Sequence, residues 1–346
     1  MLRDLPDIAD PAEPLRALAA CPAHAATPLV AKPDLAARYG WAALHLKAES
    51  ERMGLGSFKA LGGAWAVATL ACERIAEATG RAPDFADLRD ERFAAALDGM
   101  TVCCASAGNH GLSVAAGARV FGIACEVHLA ETVPEAFAER LRVKGARVVR
   151  SGAVYEEALA AAEVRAREGA ILVSDAATER DMRTPSRVMQ GYAVMAEEIA
   201  QAFRESGEWP DVVALQAGVG GLAASVAAHI RREWPVRPRI VIVEPDRAAC
   251  LGASVAAGRP ARHEGPVSNM GRLDCKEPSL RGFEVLREAA DDFVTVSDEE
   301  ADAAARELAS VGLATTPSGA AGFAGLVAHG VAGMRALALV TEEPTD

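Results

Sequence analysis

The sequence predicts an α/β protein whose parallel sheets are covered by helices. Short apolar runs alternate along the chain with longer segments that carry apolar residues at helical spacing, and this alternation is typical of parallel sheets. We interpret seven apolar runs as strands: residues 101–105, 125–129, 148–150, 171–173, 212–216, 240–243 and 336–340. Alanine-rich helices are predicted at 155–167 and 299–309, and the polar segment 81–99 is predicted to be a connector.

Composition limits the classes of function. The chain has 346 residues, 51% of them hydrophobic, which suffices for one large or two modest cores. The formal net charge of −12 disfavours a nucleic-acid partner, because phosphate binding draws on clustered Lys and Arg. No apolar run approaches the length of a membrane span, and the start of the chain is acidic, unlike a secretory leader. We therefore expect a cytoplasmic protein that binds neither nucleic acid nor a membrane.

The seven cysteines are dispersed and form no CxxC pair. This pattern favours reduced thiols over a disulfide framework, and because it has no zinc-site spacing no metal is expected. Cys103 and Cys104 lie in a predicted buried strand, where a free thiol behaves as a small hydrophobic group.

Lys59 follows Ser57-Phe58 and precedes Ala60-Leu61-Gly62-Gly63. A lysine set among glycines and apolar residues is expected to be desolvated, so that its amine loses a proton more easily and can attack an aldehyde. The alternative is a solvated loop lysine that merely lies near glycine. The motifs that follow in the chain favour the reactive lysine.

Two strand–loop–helix units follow Lys59. In the first, Ser106-Ala107-Gly108-Asn109-His110-Gly111 separates a predicted strand from a helical pattern at 112–120, and in the second, residues 217–222 separate a strand from a helical pattern at 223–230. Such a loop aims free backbone N–H groups and the positive end of a helix dipole at one point, which suits a carboxylate or a phosphate. The side-chain amide of Asn109 can add a donor.

The lysine, the amide loop and the second anion loop, in this order, resemble the fold type II pyridoxal-phosphate enzymes, the family of the threonine and serine dehydratases and the tryptophan synthase β chains. Within this family the chain resembles the diaminopropionate ammonia-lyases most. Further matching segments are Thr27-Pro28-Leu29, residues 46–55, Ser174-Asp175-Ala176-Ala177, residues 189–192, 216–220 and 243–246, Cys275-Lys276-Glu277-Pro278 and Val340-Thr341-Glu342.

The resemblance implies two doubly wound domains, with the smaller inserted in the larger. We expect a large cofactor-binding domain at 1–84 and 183–346 and a small substrate domain at 85–182. The implied cofactor, pyridoxal 5'-phosphate, is expected in the cleft between them, at the carboxyl ends of the parallel strands. The partners implied are a small amino acid substrate and a second copy of the chain, because most relatives of this fold are homodimers.

The resemblance also implies roles for individual residues. Lys59 is expected to attach the cofactor covalently and then to move protons at the substrate Cα. The substrate carboxylate is expected at the loop formed by Ser106, Ala107, Gly108, Asn109 and His110. Asn109 is also expected to face the phenolic oxygen of the cofactor, whereas a histidine that opens a helix, such as His110, more often packs or caps. The cofactor phosphate is expected at Gly218, Val219, Gly220, Gly221 and Leu222.

For two further residues the sequence leaves two interpretations open. Thr341 matches the hydroxyl residue that the family places against the pyridine nitrogen, and the alternative is a strand-end threonine that caps the backbone. Asp175 follows a predicted strand and matches an active-site carboxylate of the lyases, so we expect a general base or a ligand of the substrate amine. The alternative for Asp175 is a helix N-cap.

The chain departs from the lyase pattern at several positions. Ala107 stands where the lyases carry an acid, which predicts preference for one enantiomer and questions diaminopropionate as the substrate. Arg272, Asp274 and Lys276 replace small residues; Asp274 is a candidate to hold a cationic leaving group, and Arg272 or Lys276 a distal carboxylate. The alternative is an internal Arg–Asp pair on a surface loop. Cys250 and Cys275 lie in matching segments and are candidates for a redox pair.

The leading hypothesis is an ammonia-lyase that catalyses β-elimination on a small amino acid such as 2,3-diaminopropionate and releases a 2-oxo acid and ammonia. A serine, threonine or 3-hydroxyaspartate dehydratase would use the same residues. A non-catalytic dinucleotide-binding or cofactor-carrier protein is the alternative of another class. Glu244 lies at a strand end about 20 positions beyond the second loop, as a ribose ligand would, but this hypothesis leaves Lys59 unexplained.

Overall fold

The computed structural model describes residues 7–106 and 108–344. Its helices are α1 Ala12–Ala19, α2 Pro33–Arg38, α3 Lys59–Thr79, α4 Ala94–Leu97, α5 Asn109–Val120, α6 Glu135–Val143, α7 Tyr155–Arg167, α8 Arg183–Ser206, α9 Gly221–Glu233, α10 Cys250–Ala257, α11 Leu280–Ala289, α12 Asp298–Ser310 and α13 Pro317–His329. Its strands are β1 Leu29–Ala31, β2 Ala43–Ala48, β3 Thr101–Ala105, β4 Ala124–Leu129, β5 Arg147–Arg150, β6 Ile171–Leu172, β7 Val212–Gln216, β8 Arg239–Pro245, β9 Asp292–Val296 and β10 Arg335–Val340.

The strands form two sheets. The larger has the order β1-β2-β10-β7-β8-β9, and the smaller has the order β5-β4-β3-β6. All neighbouring pairs are parallel except β1 and β2, which are antiparallel. The parallel architecture was predicted from the apolar runs, whereas the antiparallel edge strand and strands β2 and β9 were not.

Helix α3 lies between α5 and α8, and glycines allow the close approach. A Cβ atom at Gly191 of α8 would lie 2.5 Å from the carbonyl oxygen of Leu61, and one at Gly117 of α5 would lie 2.9 Å from the Cα of Ala64. Neither position has room for a larger side chain, because real Cβ atoms do not approach backbone atoms so closely. The contacts fix α3, and with it Lys59 at its first turn.

The carboxyl ends of four strands face a common cleft between the two sheets. Among the described residues, the loops that follow β3, β6, β7 and β10 carry residues 106 and 108, 173–175, 217–220 and 341–342. This edge of parallel sheets is where such folds bind ligands. Across the described ranges, no helix is long and apolar enough to cross a membrane. Within the same residues no group of three His, Cys, Asp or Glu side chains is placed to hold a metal.

Candidate active site

Lys59 and Asp175 form an ion pair at the centre of the cleft. The Lys59 ammonium donates to Oδ2 of Asp175 across 116 residues of sequence, and the two side chains are only 24% and 23% exposed. Lys59 opens helix α3, and Asp175 lies in the loop after β6, where no helix begins until α8. Lys59 is therefore not a solvated loop lysine, and Asp175 is not a helix N-cap.

The pair changes the acidity of both groups. Burial acts to lower the pKa of Lys59, but the Asp175 carboxylate outweighs it, so the pKa of this lysine is raised above its ordinary value. Burial acts to raise the pKa of Asp175, yet the Lys59 charge holds that pKa below its usual range. The expectation that desolvation alone would make Lys59 lose its proton easily was therefore wrong, because it left out the opposing carboxylate.

Two buried hydroxyls flank Lys59 without a well-formed hydrogen bond to another described residue. They belong to Ser57, two positions before the lysine, and to Tyr192 of α8, whose ring packs edge-on against Phe58. Burial raises the pKa of Tyr192. Unpartnered buried hydroxyls are costly unless a ligand completes them. Tyr192 is close enough to Lys59 to act on its charge, which agrees with a polar group bound beside the lysine.

The loop after β7 leads into helix α9, and its Val219 amide lies against the Cys275 thiol. Its carbonyl oxygens are engaged on the other side, where Val219 O accepts from Ser279 N at 2.9 Å and Gly220 O accepts from Ala224 N at 2.9 Å. The first N–H groups of α9, from Gly221 onward, have no intrahelical acceptor. Gly220 has φ +97°, and a Cβ at Gly218 would lie 3.0 Å from Cys275 Sγ. The loop thus forms a glycine-lined cradle that fits the phosphate of pyridoxal phosphate.

The loop after β3 offers fewer donors than the sequence predicted. The amides of Gly108 and Gly111 donate to Ser106 Oγ at 3.1 and 3.0 Å, and Ser106 N donates to His128 O. The amides of Asn109 and His110, in the first turn of α5, have no intrahelical acceptor and could take a carboxylate. Ala107 lies outside the described residues.

His110 joins this loop to the strand that precedes Asp175. Its ring is 4% exposed, and Nε2 lies 2.8 Å from the carbonyl oxygen of Val173. Burial lowers the pKa of His110 despite the nearby Asp175 charge. These contacts agree with a packing residue that supports Asp175.

Asn109 points across the cleft to the end of the chain. Its Nδ2 donates to Glu342 Oε2 at 2.7 Å, and the other carboxylate oxygen, Oε1, accepts from Thr316 Oγ1 at 2.5 Å. Arg272 Nε lies 3.7 Å from Glu342 Oε2, and its guanidinium lies against Gly108. Sequence reasoning quoted Glu342 as part of a matching segment but gave it no role.

Thr341 is 4% exposed at the end of β10. Gln216 Nε2 lies 3.4 Å from its Oγ1 and also donates to the carbonyl oxygens of Gly319 and Leu339. A hydroxyl that accepts this bond keeps its own proton for another acceptor. The geometry suits a hydroxyl that faces a ring nitrogen.

The charged residues around Arg272 make two separate ion contacts, one within the segment and one with Glu342. Asp274 pairs with Lys276 at 2.5 Å, and Lys276 also donates to Arg247 O and Pro266 O. The internal Arg–Asp pair weighed from the sequence is therefore not formed: Asp274 is neutralised by Lys276, and Arg272 faces Glu342.

A buried charge network holds the segment that leads to Lys59. Arg52 is 0% exposed, and its guanidinium donates hydrogen bonds to the carboxylates of Glu49 and Glu198. Lys47 also donates to Glu198, at 2.6 Å. The network ties residues 47–52 to α8. Lys47, Glu49 and Arg52 lie in the segment 46–55 that resembled the lyases, whereas Glu198 lies in α8, so spacing alone could not show that these side chains are buried together.

Cys250 and Cys275 are both free thiols on either side of Gly218. Cys250 Sγ lies 3.7 Å from Gly218 O. Burial raises the pKa of Cys275 to about 11 and that of Cys250 further. Both are thiols rather than thiolates near neutral pH, and a redox link between them stays a prediction.

Glu244 is unavailable to a ribose. It is 1% exposed, and its two oxygens accept from the amides of Leu251 and Gly252 at 2.7 and 2.8 Å. Both oxygens of the one acid that suited a dinucleotide are thus occupied by backbone amides at the start of α10.

Comparisons with known proteins agree with this geometry. The family model described as pyridoxal-phosphate dependent enzyme matches residues 21–342. The diaminopropionate ammonia-lyase of Escherichia coli (strain K12) is 33% identical over 279 residues, covering 80% of this chain and 69% of the relative. The L-threonine ammonia-lyase of Thermotoga maritima is 29% identical over 228 residues, covering 65% and 54%. The structure of the Escherichia coli diaminopropionate ammonia-lyase with an aminoacrylate-PLP azomethine intermediate superposes with a TM-score of 0.87 at 28% identity, covering 99% and 91%.

Proposed function

Because this chain belongs to the family of pyridoxal-phosphate-dependent enzymes, we propose that it catalyses β-elimination from a small amino acid, such as 2,3-diaminopropionate, and releases a 2-oxo acid and ammonia. The observation that carries the proposal is the Lys59–Asp175 pair, which lies beside a glycine-lined anion cradle. When bound, the cofactor supplies a sink for the electrons of a Cα carbanion. Binding, orientation and proton transfer come from the chain.

With pyridoxal phosphate bound, Lys59 would hold it covalently and would move the proton at the substrate Cα. Asp175 holds the lysine or the substrate amine in place by an ion pair, or acts as the general base. The amides of residues 218–222 bind the phosphate, and those of Asn109 and His110 bind the substrate carboxylate. The Thr341 hydroxyl would hold the pyridine nitrogen of the cofactor. Because this hydroxyl is neutral, it would not force that nitrogen to be protonated, which would favour expulsion of the leaving group over transamination.

A dehydratase is the second candidate, and one observation favours it. Asp274, the acid suited to a cationic β-amino group, is already paired with Lys276. Arg272 instead places a cation beside the carboxylate loop, where it would hold the distal carboxylate of a 3-hydroxyaspartate. The leaving group would then be water rather than ammonia.

The absence of an acid at Ala107 supports preference for one enantiomer. With Asp175 on one side and no second carboxylate at that position, one face of the substrate lacks a base.

The test is release of 2-oxo acid and ammonia by the cofactor-loaded protein, offered L- and D-2,3-diaminopropionate beside L-serine, L-threonine and the 3-hydroxyaspartates. Pyruvate from one enantiomer of diaminopropionate alone supports the lyase. Turnover of a hydroxy amino acid instead supports the dehydratase. No 2-oxo acid from any of them would contradict both.

We further propose the division into a large domain at 1–84 and 183–346 and a small one at 85–182. The four-stranded sheet, which spans 101–172, lies within the proposed small domain and supports this division. We also propose a homodimer and a cytoplasmic location; the seven free cysteines support a reducing compartment.

A further inference from the structure

Glu342 is a buried carboxylate that joins the two halves of the cleft. Its side chain is 4% exposed and follows Thr341 at the end of β10. One oxygen accepts from Asn109 at the start of α5, and the other accepts from Thr316 at the start of α13. Its backbone is fixed as well, since Glu342 O accepts from Thr315 Oγ1 at 2.6 Å.

The contact with Glu342 decides which way the Asn109 amide points. Burial raises the pKa of Glu342, while Thr316, Arg272 and Asn109 act against that shift. In its ionised form the carboxyl group only accepts hydrogen bonds, so the NH₂ end of Asn109 faces it, at 2.7 Å. The second N–H of the same nitrogen then stays available to the cleft. With a partner that both donates and accepts, the amide could rotate and present its oxygen instead.

The same carboxylate lies beside a cation. Arg272 Nε is 3.7 Å from Glu342 Oε2, and the guanidinium lies over the Phe137 ring, 5.8 Å from its centre. A carboxylate this close to an anion-binding loop would repel the substrate carboxylate. Arg272 offsets that charge and is itself held toward Gly108.

We propose that Glu342 is a positioning residue of the active site: its carboxylate orients the Asn109 amide toward the cofactor and holds the Arg272 guanidinium beside the loop that binds the substrate carboxylate. Glu342 touches neither cofactor nor substrate and acts through these two side chains. The inference rests on the proposed function for the identity of the bound cofactor.

The neighbouring residue is a matched control. Glu343 also bridges the two halves of the cleft, because it pairs with Arg140 of α6 at 2.8 Å. Both members of that pair are more than 40% exposed, so the pair contributes little to stability and orients no cleft residue. A merely structural role for Glu342 predicts similar behaviour of the two sites.

The experiment compares E342Q with E343Q in the cofactor-loaded enzyme. For E342Q we expect the visible absorbance band of the bound cofactor to shift in position or intensity and the dissociation constant for pyridoxal phosphate to rise roughly tenfold. We also expect kcat to fall more than KM rises. E343Q keeps the wild-type band, affinity and kinetics. An E342Q enzyme with the wild-type spectrum and affinity would overturn the proposal.

The double variant R272Q/E342Q separates the two roles of Glu342. R272Q alone leaves the carboxylate charge uncompensated, so KM for the substrate rises. The double variant removes both charges, and we expect KM to recover in part while the spectral shift of E342Q persists. Recovery of both the spectrum and KM in the double variant would contradict a role in orienting Asn109.

The spectral measurement keeps this inference distinct from the proposed function. If the loaded wild-type enzyme shows a visible band but releases no 2-oxo acid, the proposed function fails, and the E342Q spectrum still tests Glu342. If E342Q does not fold, E342D keeps the charge but draws the carboxylate back by one methylene from Asn109. A spectral shift in the same direction supports the proposal, and a wild-type spectrum of a folded E342D overturns it.

Discussion

Lys59 and Asp175 face each other as an ion pair in the cleft, one at the start of α3 and the other after β6. The pair joins the first turn of helix α3 to the loop that follows a strand of the smaller sheet. The Asp175 carboxylate also favours the protonated form of Lys59. The lysine must become a neutral amine before it can react with an aldehyde. Its pH behaviour is therefore the first property to test.

Replacing Asp175 with Asn shifts the pH at which Lys59 captures the cofactor. In the wild type the carboxylate raises the lysine pKa, so capture by the apoprotein accelerates as pH rises. Without the carboxylate, burial lowers that pKa, and the midpoint of capture moves to lower pH. Turnover falls roughly 10²- to 10⁴-fold if Asp175 is a proton acceptor. Stopped-flow absorbance across pH measures capture, and E179Q, an exposed site in the same loop, is the control. An unchanged midpoint would contradict this assignment.

The substitution G220A weakens the phosphate cradle. Gly220 has φ +97°, and a Cβ added there would lie 3.1 Å from the Leu251 side chain, so an alanine is strained by about 1–2 kcal/mol. We expect the dissociation constant for pyridoxal phosphate to rise roughly tenfold or more. G258A is matched, since Gly258 has φ +68° with open space around it. If titration shows the same loss of affinity in both variants, the loop is not the phosphate site.

The substitution R272Q distinguishes substrates. If Arg272 holds a distal carboxylate, KM for a 3-hydroxyaspartate rises roughly tenfold more than KM for L-serine, which has no such group. Steady-state kinetics with both substrates measure the difference. R262Q is the control, because Arg262 is half exposed and pairs with Glu264 and Glu277. Equal increases for both substrates would show that Arg272 acts only near the α-carboxylate.

Glu197 stabilises the fold in a pH-dependent way. The His229 ring, whose Nε2 lies 3.1 Å from Glu197 Oε2, and the Arg204 guanidinium outweigh partial burial and lower the Glu197 pKa from 4.5 to about 2. A lowered pKa contributes stability that is present above the ordinary value and is lost as pH falls from about 4.5 toward 2. We expect E197Q to lower the free energy of unfolding by about 2 kcal/mol at pH 7. The difference from wild type should shrink near pH 3 in urea titrations; a constant difference would contradict this reasoning.

The sequence predicted local structure better than it predicted the site. Helix α7 and strands β3 and β7 have the predicted bounds, because apolar periodicity and alanine content decide them locally. The short strand β1 was missed, since three residues are too few to show an alternation of apolar and polar positions. The Asn109–Glu342 contact joins residues 233 positions apart, and no rule based on sequence spacing relates residues so far apart. Burial and the opposing carboxylate act on Lys59 in opposite directions, so its pKa needed the tertiary structure.

The most direct test of the account is to locate the cofactor on the chain. The loaded enzyme is reduced with sodium borohydride, digested and analysed by mass spectrometry, beside a K59A variant. We predict one adduct of cofactor mass on Lys59, and neither visible absorbance nor turnover in K59A. An adduct on another lysine, or a K59A enzyme that keeps its absorbance and turnover, would contradict the account.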